Sequence, residues 1–194
     1  VQDAYFSWQF AVFVAFYSLL YRVNIKKNDL IIVQQDWLRH EFQQRYAARN
    51  VVVAHPVLNE AGGNWGKQVT RGVSGPVRFF YPAFPRPFKN FEVVLEAAAR
   101  LESMSETRFE LWITLAGSIN RYSRWLYRKY KHLRTVHWLG MLSRDEVFRS
   151  YLSADCMIFP SKLETWGLPI TEFKGTGRPI LLADLPYAHE TIGS

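Results

Sequence analysis

The stretch that decides the fold runs from residue 156 to residue 182 and reads CMIFPSKLETWGLPITEFKGTGRPILL. Its first four residues are an apolar run of the kind that forms a strand buried in a parallel sheet. After a Pro-Ser pair, Gly167 allows the backbone to approach a ligand closely. Two carboxylates, Glu164 and Glu172, flank this turn. The pattern predicts a strand–loop–helix unit at the carboxyl end of a strand, where α/β sheets bind nucleotides.

The helix of this unit is expected to begin near Pro169, because proline suits the first helical turn. Glu172 is then expected in that first turn, where free amide groups and the helix dipole favour anions. The spacing of eight residues carries little information by itself, since Glu102 and Glu110 are also eight apart. The surrounding strand, turn and helix signals carry the prediction.

Apolar runs alternate with helical patterns from residue 77 onward, which predicts βαβ units and a Rossmann-like parallel α/β sheet with helices on both faces. An earlier strand–helix–strand pattern precedes them. The predicted strands are 30–34, 51–54, 77–81, 111–116, 135–139, 156–159 and 179–183, and the predicted helices lie at 36–47, 90–102, 121–131, 143–153 and 168–176.

Three regions follow from these patterns. Residues 1–58 are interpreted as the tail of a first Rossmann-like domain. Residues 59–76, rich in Gly and Asn, suit a linker. Residues 77–194 form a second domain that stops before its end. Because the chain opens on Val1 and stops where a new helix should begin, we expect a fragment of a longer protein.

A net charge of +7 suggests three classes of anionic partner: nucleic acid, a membrane surface or a phosphorylated substrate. No zinc-finger spacing, helix-turn-helix pattern or RNA-binding aromatic signature accompanies the charge, so nucleic acid is disfavoured. The single cysteine, Cys156, excludes a disulfide within the chain and argues against a metal-thiolate site. It is expected to be a small buried hydrophobic residue.

Residues 4–21 are apolar and aromatic, and their length barely reaches that of a spanning helix. The stretch lacks the basic start and small-residue cleavage site of a signal peptide. A buried or interfacial helix is therefore the favoured interpretation. The basic residues that follow, Arg22, Lys26 and Lys27, leave peripheral contact with a membrane open.

The quoted stretch resembles the carboxylate-pair motif of the retaining GT-B glycosyltransferases, also called glycosyl transferases group 1 or family 4. That motif has a strand ending in Pro-Ser, a Glu, an aromatic-Gly-Leu-Pro turn, a second Glu, and Gly-x-Pro before another strand. Upstream, VHWLG at 136–140, SRDE at 143–146 and AD at 154–155 also fit. The resemblance covers residues 77–194 and, more loosely, 20–60.

The resemblance implies transfer of a sugar from a nucleotide-diphosphate sugar, with retention, to a glycan or lipid-linked acceptor. No cofactor and no metal is expected, since the chain has no Asp-x-Asp motif. Fixed cations should then stabilise the leaving diphosphate. Arg86 and Lys89 in the loop after residue 81 match this role, although the family's Arg usually precedes the Lys by five or six positions. Residue Lys89 opens a helix, as the family's Lys does.

The remaining roles come from the same resemblance. Glu172 should accept hydrogen bonds from the two ribose hydroxyls, and Glu164 should face the donor sugar. Backbone amides at Gly167 and Leu168 should contact sugar or phosphate. Two further positions complete the expected substrate contacts: Trp166 in the turn and Gly140, which lies near the base. His137 alternates with apolar neighbours and is expected to be a core histidine.

Other functions remain open at this point. The chain could be a non-catalytic module that binds a sugar nucleotide, a sugar-nucleotide epimerase of the same fold, or a basic nucleic-acid binder. As a fragment, it is expected to bind nucleotide without turnover. The base, whether uridine, guanosine or thymidine, is undecided. A cytoplasmic location is expected, with a preference for the inner face of a membrane because of the basic charge and the aromatic first helix.

Overall fold

The computed structural model describes residues 8–57, 75–105 and 107–193. Strands and helices alternate along the chain as the sequence predicts. The strands are β1 (Ile31–Val33), β2 (Val51–Val53), β3 (Val77–Tyr81), β4 (Phe109–Ile113), β5 (Val136–Trp138), β6 (Cys156–Phe159) and β7 (Ile180–Leu182). The α-helices are α1 (Trp8–Asn24), α2 (Asp36–Tyr46), α3 (Phe91–Ser103), α4 (Arg121–Tyr130), α5 (Arg144–Ser153), α6 (Leu168–Lys174) and α7 (Pro186–Gly193).

The larger sheet has five parallel strands in the order β5-β4-β3-β6-β7. Its central strand, β3, pairs with β4 over its whole length and with β6 at Phe79 and Phe80. The core on this sheet includes fully buried side chains from β3, β4 and β6, namely Phe80, Ile113 and Met157. The predicted parallel α/β architecture is thereby confirmed.

The strand order reverses between β3 and β6. From β3 the chain first adds β4 and then β5 on one side, after which it returns to place β6 and β7 on the other side. The loops that follow β3 and β6 therefore leave the same edge of the sheet in opposite directions. A crevice at such a reversal is the usual ligand-binding place of open α/β sheets.

Capping boxes fix where α4 and α5 begin. Asn120 and Ser123 exchange side-chain and backbone hydrogen bonds at the start of α4, and Ser143 and Glu146 do the same at the start of α5. These reciprocal bonds satisfy amide groups that have no partner inside the helix. At the other end of α5, the Arg178 guanidinium donates to backbone carbonyls, including that of Leu152 at 2.7 Å.

The first strands form a separate parallel pair, β1 with β2, connected through α2. This confirms the predicted βαβ unit before residue 58. Its division from the second domain stays a prediction, because residues 58–74, which hold most of the predicted linker, lie outside the described residues.

Hydrogen bonds connect the first unit to α7. The buried side-chain amide of Gln35 donates to the carbonyl of Tyr187 at 3.0 Å and to the hydroxyl of Thr191 at 2.9 Å. The Glu190 carboxylate accepts from the backbone amides of Asp36 and Trp37, the first two residues of α2. An acidic side chain at this position satisfies free amides and interacts favourably with the helix dipole.

The described side chains of α1, at residue 12 and from residue 15 to residue 24, are exposed. The prediction that this helix is buried is therefore wrong for these side chains within this chain. The ring of Tyr21 contacts Phe42 and Tyr46 of α2. The interfacial interpretation stays a prediction. In the part of the chain that the structure describes, no helix combines the length and the apolar character needed to cross a membrane.

Replacing Gln35 with Leu should lower the free energy of unfolding by about 2 kcal/mol, because buried hydrogen-bond partners on α7 and the Trp37 indole lose their contacts. Urea denaturation followed by circular dichroism measures this. Gln34→Leu is the matched control, since Gln34 is exposed. Equal stability of the two variants would contradict the assigned role of Gln35.

Candidate active site

Hydrogen bonds to Tyr81 and to Thr114, which follows β4, hold the loop after β3 in one shape. The phenol of Tyr81, the last residue of β3, donates to the Lys89 carbonyl at 2.5 Å. The Thr114 hydroxyl accepts from the Ala83 amide at 2.8 Å. Burial, and secondarily the nearby Glu164 carboxylate, raises the pKa of Tyr81 well above its usual range. The phenol therefore stays protonated and keeps donating.

The loops after β3 and β6 are also bonded to each other across the sheet reversal. The Phe88 carbonyl accepts from the Lys162 amide at 2.7 Å and from the Ser161 hydroxyl at 3.3 Å. The side-chain amide of Asn90, in a left-handed conformation before α3, donates to the Pro160 carbonyl at 3.3 Å. These bonds fix the relative position of the two loops.

Between these loops the structure brings two of the predicted residues together. The Lys89 ammonium forms a hydrogen-bonded ion pair with the Glu164 carboxylate. Their side chains are 16% and 12% exposed, so the pair is sheltered but reachable. The ammonium also lies 5.3 Å from the centre of the Phe159 ring, where a cation is attracted to the ring face. The predicted roles of both residues, toward phosphate and sugar, stay predictions.

Glu172 lies on α6, at the fifth residue of the helix rather than in its first turn as expected. The helix begins at Leu168, as predicted, and its first turn of about 3.6 residues ends before Glu172. One carboxylate oxygen accepts from the Tyr151 phenol at 3.0 Å, and the other lies 3.8 Å from the exposed Arg144 guanidinium. Burial, and then the Glu172 charge, raises the pKa of Tyr151 above its usual range, so Tyr151 acts as a donor.

A cavity of about 290 Å³ opens beside Glu172. It is lined mostly by apolar groups from the loops after β3 and β5 and from α5, with two opposite charges at its wall. Its lining residues are Pro82, Ala83, Phe84, Thr114, Met141, Leu142, Arg144, Val147, Phe148, Tyr151, Pro169 and Glu172. A largely apolar cavity with a few polar groups is typical of a small-molecule site.

Two predicted glycines have left-handed backbones at this edge of the sheet. Gly140 (φ +72°) follows β5 and directly precedes the cavity residues Met141 and Leu142. Gly167 (φ +84°) precedes α6, and a Cβ there would lie 2.8 Å from a methyl carbon of the buried Ile170. Both turns therefore depend on glycine. Their predicted contacts with a ligand are not tested by this geometry.

Trp166 packs inside the protein and forms hydrogen bonds there. Its side chain is buried, and the indole nitrogen donates to the Thr171 hydroxyl at 2.9 Å. Its carbonyl accepts from the Thr191 hydroxyl, and its ring lies 5.0 Å from the ring of His55. The residue thus connects the turn before α6 with α7 and the first unit. Substrate contact by Trp166 stays a prediction.

Arg86 and Leu168 are exposed at the rims of the two loops. The Arg86 guanidinium lies 5.4 Å from the centre of the Phe84 ring, and Phe84 lines the cavity. It lies in the same loop as Lys89 but is not part of the ion pair with Glu164. Leu168, 46% exposed, begins α6. The diphosphate role of Arg86 therefore stays a prediction, as does backbone binding at Leu168.

Sequence reasoning missed Tyr151 and Arg144, although both contact Glu172. Arg144 could have been found, because the capping box at Ser143 and Glu146 makes it the first residue of the helix that follows β5. That position lies at the ligand-binding edge of a parallel sheet. Tyr151 had no comparable signal, since its contact with Glu172 depends on how α5 packs beside α6.

The site combines three kinds of group: a sheltered cation paired with a carboxylate, a second carboxylate held by a phenol, and an apolar cavity. Such a set suits a ligand with an anionic part, hydroxyl groups and a flat apolar part. Among residues 8–57, 75–105 and 107–193, no three His, Cys, Asp or Glu side chains are grouped as a metal ion would require.

Comparison with known proteins places these features in a family. Residues 68–194 match the family model described as "Glycosyl transferases group 1". Among curated proteins, none matches the chain by sequence. Solved structures similar in fold include a glycosyltransferase from Rickettsia africae (TM-score 0.69, 16% identity, covering 92% of this chain and 50% of that one).

Two further similar structures were solved with ligands. HepE from Anabaena, in complex with UDP and glucose, has a TM-score of 0.68 at 16% identity, over 87% of this chain and 50% of its own. TarM from S. aureus, in a complex that includes UDP, has a TM-score of 0.66 at 15% identity, over 86% of this chain. The chain spans half of the HepE chain and 32% of the TarM chain. These similarities establish the GT-B fold of the described residues.

Gly167→Ala should lower stability by more than Gly177→Ala. Both glycines have positive φ, which costs a residue with a Cβ roughly 1 kcal/mol. Only at Gly167 does the Cβ also meet a buried side chain, and such overpacking costs about 1–3 kcal/mol more. Urea denaturation of the two variants measures the difference. Equal losses would show that the turn at Gly167 relaxes freely.

Proposed function

Because the chain belongs to the family of glycosyl transferases group 1, we propose that it is the donor-binding part of a retaining, metal-independent hexosyltransferase of family 4. Its co-substrate is a nucleotide-diphosphate sugar, and it needs no cofactor. The observation that carries this proposal is the ion pair of Lys89 and Glu164 at the sheet reversal, beside the cavity that holds Glu172.

Lys89 supplies the positive charge for the diphosphate. When the bond to the sugar breaks, negative charge builds on the leaving nucleotide diphosphate, and a fixed cation stabilises it. Without ligand this ammonium is bonded to Glu164, so a diphosphate competes with the carboxylate for it. Arg86, in the same loop, is proposed as the second cation.

Glu164 faces the donor sugar in this proposal. As the diphosphate takes over Lys89, the carboxylate becomes available to accept hydrogen bonds from sugar hydroxyls. It also places negative charge near the anomeric carbon, where positive charge develops during transfer. The amides of Gly167 and Leu168 lie in the adjoining turn and are proposed to contact the sugar or phosphate, with Trp166 supporting that turn.

Glu172 binds the ribose in the same proposal. The Tyr151 phenol holds one of its oxygens, which orients the carboxylate and leaves acceptor capacity for the ribose hydroxyls. The adjoining cavity, with Phe84, Phe148 and Met141 in its lining, accommodates the base, next to the turn at Gly140. Since HepE and TarM were crystallised with UDP, we propose uridine as the base.

The acceptor is proposed to be a glycan or a lipid-linked glycan, reached at the cytoplasmic face of a membrane. The basic net charge supports a location beside anionic lipids. Since this chain spans half or less of the similar chains named above, we expect it to bind the nucleotide without turning over a sugar by itself.

The donor site is tested by calorimetric titration with UDP, GDP and dTDP in EDTA. UDP should bind, and Glu172→Ala should weaken it at least tenfold, which is about 1.4 kcal/mol and within reach of charge-assisted hydrogen bonds. The variant Tyr151→Phe should weaken UDP binding by a smaller factor than Glu172→Ala does. Both losses should vanish with 2′,3′-dideoxyuridine diphosphate, which lacks the ribose hydroxyls. Failure of the folded chain to bind any of the three nucleotides would contradict the proposal.

Substitutions at the two members of the ion pair should change the affinity for UDP in opposite directions. Lys89→Met should weaken UDP binding at least tenfold, because a charge-assisted bond to phosphate is lost. Glu164→Gln should tighten UDP binding severalfold, because it removes both the competitor for Lys89 and a negative charge near the diphosphate. The same titration measures both. Equal weakening in the two variants would show that the pair only maintains the loop structure.

A further inference from the structure

Most of the net charge of the chain is concentrated in α4 and the turn that follows it. Six basic and no acidic residues fall between positions 121 and 134: Arg121, Arg124, Arg128, Lys129, Lys131 and Arg134. Of the 24 basic residues in the chain, the 18 elsewhere nearly balance the 17 acidic ones. The charge of +7 is therefore a local property of this surface.

The helix presents three of these cations as one row. Its buried face carries Tyr122, Ser123, Leu126 and Tyr130. Arg121, Arg124 and Arg128 follow at intervals of three and four residues, which places them on one stripe of the opposite face. All three side chains are exposed.

Two acidic side chains of α3 contact another side of α4. The Glu92 carboxylate of α3 accepts from the Tyr122 phenol, and Glu96 lies 3.8 Å from the Lys129 ammonium. By helix geometry, Tyr122 and Lys129 lie on the side of α4 that faces α3, away from the middle of the arginine row. The charges that α3 contributes therefore act mainly on the flank of the row, where they partly neutralise Lys129.

Aromatic side chains border the row. Trp125 is 41% exposed and follows Arg121 by one helical turn, with its ring stacked at 6.3 Å on Tyr122. Tyr127, 37% exposed, lies on the other border. The Lys129 ammonium lies 5.6 Å from the Trp125 ring. Exposed Trp and Tyr beside cations are typical of surfaces that lie at the lipid headgroup level.

We propose that this face of α4 docks on an anionic phospholipid bilayer. The face is a convex helix with a single row of arginines, and its borders carry one indole and one phenol. Binders of single-stranded nucleic acid instead stack successive bases on aromatic rings along a groove, which this face lacks. The proposal rests on the membrane location within the proposed function but needs nothing from the donor site.

Each cation near an anionic leaflet contributes about fivefold to membrane partitioning. Removing the row of three should therefore weaken binding about a hundredfold. Trp125 adds a contribution that depends little on salt, because burial of an aromatic ring in the interface is apolar. Binding should fall with increasing salt, as screening of exposed charges requires.

The test is cosedimentation with vesicles of phosphatidylcholine mixed in equal parts with phosphatidylglycerol, beside vesicles of phosphatidylcholine alone. The variant R121Q/R124Q/R128Q should lose about a hundredfold in binding to the anionic vesicles. The control R22Q/K26Q/K27Q removes the same charge from the last turn of α1 and the residues just after it, where these side chains are also exposed, and should retain most binding. The variant R121K/R124K/R128K, which keeps the charge, should bind like the unaltered chain.

Several results would overturn the proposal. They are equal binding to both kinds of vesicle, a loss confined to the α1 control, or tighter binding to a DNA or RNA oligonucleotide than to the anionic vesicles. Circular dichroism of each variant confirms that the fold is intact. Because no nucleotide is present, a failure here leaves the donor site standing, and a failure of UDP binding leaves this surface standing.

Discussion

The ion pair between Lys89 and Glu164 lies where the order of the five described strands reverses, and the arrangement of the site follows from that position. Lysine comes from the loop after β3 and glutamate from the loop after β6. A sheltered cation needs a counter-charge when no ligand is bound, since burial without one is costly. The carboxylate supplies it, and hydrogen bonds such as that from Lys162 to the Phe88 carbonyl keep the two loops in register. In the proposed function, the diphosphate takes the place of this carboxylate at Lys89.

The same interaction joins fold and function. Because β3 and β6 are neighbours only through a long connection, the site depends on packing of the whole five-stranded sheet. Trp166 extends this dependence, since its ring contacts His55 and its carbonyl contacts α7. Through Gln35, α7 is in turn bonded to the first unit. The turn before α6 is therefore positioned by contacts with both α7 and the first unit.

The strands of the large sheet and the loops that form the site could be predicted from the sequence. Short apolar runs separated by helical patterns gave every strand of the large sheet, because strands covered on both faces have no polar alternation to obscure them. Lys89 and Glu164 are each predicted in a loop at the carboxyl end of a strand, but the ion pair between them is not predicted by the sequence. Packing details were not accessible. His137 was expected in the core, yet it lies exposed on the edge strand β5. The bond between Glu172 and Tyr151 depends on how α6 packs beside α5, which no local pattern specifies.

We propose that the lysine paired at the sheet reversal binds the diphosphate of a nucleotide sugar. A crystal structure of the chain grown with UDP in EDTA would show where the diphosphate lies. We expect a phosphate oxygen within hydrogen-bond distance of the Lys89 ammonium, the ribose hydroxyls facing Glu172, and the base in the cavity near Gly140. A nucleotide bound elsewhere, or a Lys89 ammonium still bonded to Glu164 with the diphosphate on other groups, would contradict it.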